Sequence, residues 1–154
     1  MSLSKKILNK LIVKNISVST AESCTGGLLA YNFVKNTDSS KVFKGGYITY
    51  SNEMKIKVLK VKKVLLKKNG AVRYQVAEEM IEGLYKKNKT KLCISTTGIA
   101  GPGGSTQNKP VGLIYIGIRI NKKNIIIKKN FKGTRIQIQK KCVDFIYKYL
   151  DKLI

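Results

Sequence analysis

The chain has 154 residues, 43% of them hydrophobic, enough for one globular domain over residues 1–154 with a sizeable core. It contains no histidine and only eight acidic residues, which excludes a Ser-His-Asp triad, a Cys-His pair and every His-based metal site, and leaves little material for a two-metal carboxylate centre. The formal charge of +23 points first to polyanions, but it is almost all lysine, with Arg73, Arg119 and Arg135 the only arginines.

The lysines are scattered, as in "KIKVLKVKKVLLKK" (residues 55–68), where they alternate with core residues on predicted helices. Solvated lysine faces of this kind imply only non-specific, salt-sensitive binding to nucleic acid. Lysines also interrupt every apolar run, so no membrane span is expected, and the N-terminus lacks the pattern of a secretory signal. These features predict a cytoplasmic protein. Cys24, Cys93 and Cys142 are far apart and odd in number, against a disulfide framework or a structural zinc site. Cys24 sits near a predicted helix start and reads as a small buried thiol.

Apolar residues at Leu3, Ile7, Leu8, Leu11 and Ile12 make a helical stripe over residues 3–14. "ISVST" is a short β-rich run, after which Ser23 or Thr25 can cap a helix from about Gly26 to Lys35. Gly45 to Tyr50 reads as a strand. Ser51 then caps a helix over "NEMKIKVL", and a second short helix ends at Asn69 and Gly70. Val72 to Lys87 carries Val76, Met80, Ile81 and Leu84 at helical spacing. "KLCISTTG" is a strand entering the glycine loop "GIAGPGG", and "PVGLIYIGIRI" is a long strand. A turn over Asn121 to Asn124 joins it to "IIIKKNF". Gly133 and Thr134 open a last helix with Ile138, Cys142, Phe145, Ile146 and Tyr149 on one face, and Asp144 and Asp151 toward solvent. Helices between early strands and a late hairpin predict an α/β domain with a mixed sheet.

Two loops follow predicted strands, "STAESCTGG" and "TTGIAGPGGSTQNKPVG". Neither is a Walker A or a GxGxxG sequence, so each is either a tight turn or a cradle of backbone amides for an anionic group. Glu22, one of the few acids, can bind hydroxyls or serve as a cap. A third stretch, "TDSSKVFKGGYITYSNEMK", holds Ser40, Tyr50 and Lys55. Without histidine a serine nucleophile needs a base such as lysine or tyrosine, and lysine serves only if burial or nearby cations lower its pKa.

"TAESCTGG", "GGYITYSNEMK", "NGAV" and "TGIAGPGGSTQNKPVG", in that order, resemble the C-terminal domain family of the competence/damage-inducible CinA proteins, from about Val18 to Arg135. Stand-alone members of that family are nicotinamide-nucleotide amidohydrolases. The resemblance implies a three-layer α/β/α fold and hydrolysis of the carboxamide of nicotinamide mononucleotide to nicotinate mononucleotide and ammonia, with no metal or organic cofactor and with self-association as a homodimer. It implies Ser40 as nucleophile, with Tyr50 and Lys55 completing the site. Glu22, Ser23, Thr25, Gly26 and Gly27 then cradle the nucleotide opposite Gly98, Gly101 and Gly103, and Arg135 in "KGTR" contacts the phosphate. Two positions depart from the family pattern: Asp38 stands where glycine is usual before the paired serines, and Arg73 where serine is usual after "NGAV". A catalytically silent nucleotide-binding remnant and a basic nucleic-acid-associated protein are the alternative expectations.

Overall fold

The computed structural model describes all residues from Met1 to Ile154. Helices and strands follow in the order α1 (Leu3–Val13), β1 (Val18–Glu22), α2 (Leu28–Val34), a 3-10 turn (Ser39–Lys41), β2 (Phe43–Ile48), α3 (Asn52–Leu59), α4 (Lys63–Asn69), α5 (Tyr74–Asn88), β3 (Leu92–Gly98), β4 (Leu113–Ile120), β5 (Lys123–Asn130) and α6 (Arg135–Leu153). The strands form one sheet in the order β2-β1-β3-β4-β5. β1 is parallel to both β2 and β3, while β3–β4 and β4–β5 are antiparallel, so the sheet is mixed as expected.

The composition of each strand follows from its neighbours. β1 is covered on both faces and buried at every residue, and it therefore shows no polar alternation. β5 is an edge strand and carries exposed lysines, which discourage further pairing. The β4–β5 turn is tighter than the sequence implies. Ile120 pairs with Lys123, and only Asn121 and Lys122 lie between them, at φ 52° and 63°. Two consecutive left-handed residues make a turn whose twist matches the strands, so β5 begins inside the expected loop.

Helices cover both faces. α1, α2 and α6 pack on one side around Ile7, Leu11, Phe33, Ile94, Ile118 and Ile146. α3, α4 and α5 pack on the other around Leu59, Met80, Ile81, Leu84 and Cys93. Burying each such side chain is worth roughly 1.5–3 kcal/mol, and the two apolar clusters fix the three-layer order. α6 opens on a capping box, with Thr134 accepting from the Gln137 amide and the Gln137 side chain accepting from the Thr134 amide. Its innermost aromatic is Tyr147, with Tyr149 only partly buried. Asp151 is not a free surface charge: Lys6 and Lys10 of α1 each reach it at 2.8 Å, tying the chain ends together. All three cysteines are free and buried. No helix is long and apolar enough to cross a membrane.

Candidate active site

The chain leaves β1 for β2 on one side and later returns to β3 on the other, so the carboxyl end of β1 is where the strand order reverses. Crevices of this kind are the usual ligand sites of α/β sheets. β1 delivers Glu22 and Ser23 there, β2 delivers Thr49 and Tyr50, and β3 delivers Thr97 and Gly98. Backbone bonds lock the three exits together: the Ser23 amide donates to the Thr96 carbonyl and the Thr49 amide to the Glu22 carbonyl. A pocket of about 200 Å³ opens between them. Ser23, Cys24, Tyr50 and Lys55 line one part, and Ala71, Val72, Gly98 and Arg135 line others.

Lys55 is the unusual group. Ser51 starts α3 by accepting from the Met54 amide, and Lys55 and Leu59 are the positions this helix turns inward. Lys55 is 1% exposed. Its Nζ donates to Ser23 Oγ at 3.0 Å and to the Tyr50 carbonyl at 3.0 Å. No carboxylate pairs with it. Burial disfavours the charged form and pulls its pKa from 10.5 down to about 8. About a tenth of such a group is neutral amine at pH 7, and a neutral amine can take the proton of the serine it touches. The amides of Cys24 and Thr25, directly after Ser23, donate to no oxygen within the chain. They are donors of the type a developing oxyanion requires. The Cys24 thiol is pushed up to about 12 by burial and serves as an apolar wall, not a second nucleophile.

Glu22 does not face the pocket. It is 1% exposed and accepts four hydrogen bonds, from the Thr25 hydroxyl at 2.6 Å and the amides of Gly27, Leu29 and Ala30 at 3.2, 2.9 and 3.0 Å. This corrects two expectations. Glu22 is the cap of α2, reached from outside the helix, and neither Ser23 nor Thr25 caps it. Thr25 is likewise buried, between Glu22 and Thr96 Oγ1. Gly26 and Gly27 take left-handed φ of 59° and 103° so that the chain can fold back over the carboxylate, which delays the helix to Leu28.

Among the other expected substrate contacts, Ser23, Gly98 and Arg135 line the pocket. At Gly98 a Cβ would lie 2.6 Å from the Leu113 carbonyl, so packing against β4 already demands glycine. Gly101 contributes its carbonyl, which accepts from Arg135 Nη1 at 2.8 Å, while Arg135 Nη2 donates to the Tyr50 hydroxyl at 2.8 Å. Arg135 thus straps two loops across the mouth. Gly103 is exposed and lies outside the pocket.

Ser40 is not brought to Lys55 within the chain. It lies exposed in the turn before β2, at the end of the strand where Phe43 pairs with Val18, the first residue of β1. The six residues of β2 span about 16 Å, and Tyr50 lies beyond their far end. The hydroxyl that meets Lys55 is Ser23. Asp38 adopts φ 72°, the left-handed geometry that glycine would take without strain, and its carboxylate pairs with Lys41 at 3.0 Å. The pocket residues that the sequence did not assign to the site, Cys24, Asn52, Ala71, Val72, Thr97 and Ala100, all fall inside the four quoted motifs.

Fold and geometry together define an α/β protein with a buried serine–lysine pair at the switch point of a mixed sheet. Comparison with known proteins makes this specific: the chain belongs to the CinA C-terminal domain family, which matches residues 1–154. It is 52% identical over 134 residues to a competence-damage inducible protein of Clostridium botulinum (strain Langeland), covering 87% of this chain and 33% of that one. A Clostridium novyi protein of the same description is 56% identical over 117 residues, 75% of this chain and 28% of that one. The chain therefore spans about a third of the length of these curated relatives. Among solved structures, a competence-damaged protein (CinA) superfamily protein from Escherichia coli superposes with a TM-score of 0.94 at 30% identity, covering 99% of this chain and 88% of that one. The competence/damage inducible protein CihA from Agrobacterium tumefaciens gives 0.93 at 33% identity, covering 98% and 93%.

Proposed function

We propose that the chain is a serine–lysine amidohydrolase that releases ammonia from the carboxamide of nicotinamide mononucleotide. The observation that carries the reaction type is the 3.0 Å contact between Ser23 Oγ and a buried Lys55 that has no counter-ion. The substrate comes from the resemblance of the four sequence motifs to nicotinamide-nucleotide amidohydrolases. The curated relatives are named only for competence and damage.

In this reading Lys55, neutral, takes the Ser23 proton as Oγ attacks the carboxamide carbon. The amides of Cys24 and Thr25 stabilise the oxyanion of the tetrahedral intermediate. As the C–N bond breaks, the proton on Lys55 passes to the leaving nitrogen and ammonia departs, leaving an acyl ester on Ser23. Lys55 then deprotonates a water that attacks the ester, and the proton returns to Ser23 Oγ as the carboxylic acid leaves. The Tyr50 carbonyl keeps Nζ aimed at Ser23. The role given to Ser40 on resemblance thus passes to Ser23. A cytoplasmic homodimer belongs to the same proposal and is checked by sedimentation of the purified chain. The reaction is tested by assaying ammonia from nicotinamide mononucleotide, with Ser23→Ala as the inactive control.

A further inference from the structure

Arg135 is the expected phosphate contact, yet both its terminal nitrogens are engaged inside the chain, on Gly101 and Tyr50. A second pair of cations stands beside the same pocket and keeps donor groups free of partners within the chain. Ala71 and Val72 form part of the pocket wall, held there by the Thr97 hydroxyl donating to the Ala71 carbonyl at 2.9 Å. The next residue is Arg73. Its only polar side-chain contact runs from Nε to Gln75 at 2.9 Å, so both terminal nitrogens are free. Lys109 arrives from the loop after β3, and its Nζ donates to the Asn69 carbonyl at the end of α4. Arg73 and Lys109 therefore flank the short link from Asn69 to Val72.

The two charges feel each other. Burial, and after it the Arg73 guanidinium, lowers the pKa of Lys109. No carboxylate offsets them, since the chain's ion pairs are Lys6–Asp151, Lys10–Asp151, Lys41–Asp38 and Arg119–Glu82. The only charged group acting on Lys109 is Arg73, with no carboxylate among the causes of its lowered pKa. Two half-buried like charges without a counter-ion are an unfavourable arrangement that a bound dianion reverses. The free guanidinium edge suits two oxygens of a phosphate, and the ammonium adds a compact charge beside it.

We propose that Arg73 and Lys109 form an anchor for the substrate's phosphate and set a preference for phosphorylated over unphosphorylated carboxamides. The preference rests on the amidohydrolase reading; the anion site does not. Arg73 makes no side-chain cap bond to α5, so replacing it leaves the helix start intact.

The test has two arms. Inorganic phosphate is titrated calorimetrically, at fixed ionic strength, into the full chain, Arg73→Gln, Lys109→Gln and, as a control for diffuse charge, Lys140→Gln on the exposed face of α6. Loss of one charge-assisted contact corresponds to about tenfold in affinity. A drop of that size in the first two variants and none in the third is expected. No saturable binding to the wild type, or an equal drop in all three variants, overturns the proposal. In the second arm, Arg73→Gln is assayed on nicotinamide mononucleotide and on the riboside that lacks the phosphate. The expected result is about a tenfold rise in KM for the nucleotide alone, with kcat unchanged. An equal fall in kcat/KM for both substrates overturns the proposal. A chain that hydrolyses neither substrate refutes the amidohydrolase reading, and the phosphate titration then decides the anchor by itself.

Discussion

Replacing Lys55 by methionine removes the buried ammonium and keeps the length of the side chain. The fall of its pKa from 10.5 to about 8 amounts, at about 1.4 kcal/mol per pH unit, to about 3 kcal/mol against the charged form in the native state. The sign follows from proton counting. Below pH 8 both native and unfolded chains hold the proton, and the native state bears the whole penalty. Between pH 8 and 10.5 the unfolded chain holds it and the native chain does not, so the contribution of this group to stability rises with pH across that window. Methionine has nothing to titrate there. It leaves Ser23 Oγ without its donor and the Tyr50 carbonyl with only the 3.4 Å bond from the Ser23 hydroxyl, a cost of about 1–2 kcal/mol that does not vary with pH. The variant is therefore expected to be about 1–2 kcal/mol more stable than wild type at pH 7 and less stable at pH 10.5. Guanidinium chloride unfolding of both proteins at pH 7, 8, 9 and 10 measures the difference, and the salt screens the self-repulsion of the lysine-rich surface. A difference that stays flat with pH would refute the burial argument. The same group sets the activity profile: wild-type kcat/KM rises with pH along a limb centred near 8, and Lys55→Met is inactive.

Two further outcomes follow from the geometry. Glu22→Ala leaves a hydroxyl and three amides at the start of α2 without an acceptor; it should cost about 3–5 kcal/mol in thermal or denaturant unfolding, and a loss below about 1 kcal/mol would contradict the capping role. Tyr50→Phe severs the strap from Arg135 but keeps the carbonyl that aims Lys55, so KM should rise a few-fold, about 1 kcal/mol, while kcat and the limb near pH 8 stay in place. A hundredfold fall in kcat would instead assign proton transfer to the phenol.

Local pattern was legible where one element decides it. The apolar stripe of α1, the Ser51 cap of α3, the Gly70 stop of α4 and the start of α6 at Thr134 all depend on residues within a turn of one another. The site depends on pairing between distant segments. Ser23 lies 32 positions from Lys55 and reaches it because β1 and β2 run parallel and end together. Ser40 is nearer in sequence, yet the whole of β2 intervenes. The burial of Lys55 was equally hidden, since "KIKVLKVKK" looks evenly basic until the register of α3 turns Lys55 and Leu59 inward. Glu22 could be read as a ligand for hydroxyls or as a cap, and only the backbone shows that its partners are the amides of α2. Asp38 could be placed in the sequence as a departure from glycine; only the backbone shows that it holds the glycine-like conformation.

The most direct measurement is ammonia release from nicotinamide mononucleotide by the wild type, Ser23→Ala and Ser40→Ala, each first shown to be folded. Release by wild type and Ser40→Ala, with none from Ser23→Ala, is the predicted result. Release that survives in Ser23→Ala and disappears in Ser40→Ala would contradict the assignment of the nucleophile, and a silent wild type would contradict the reaction itself.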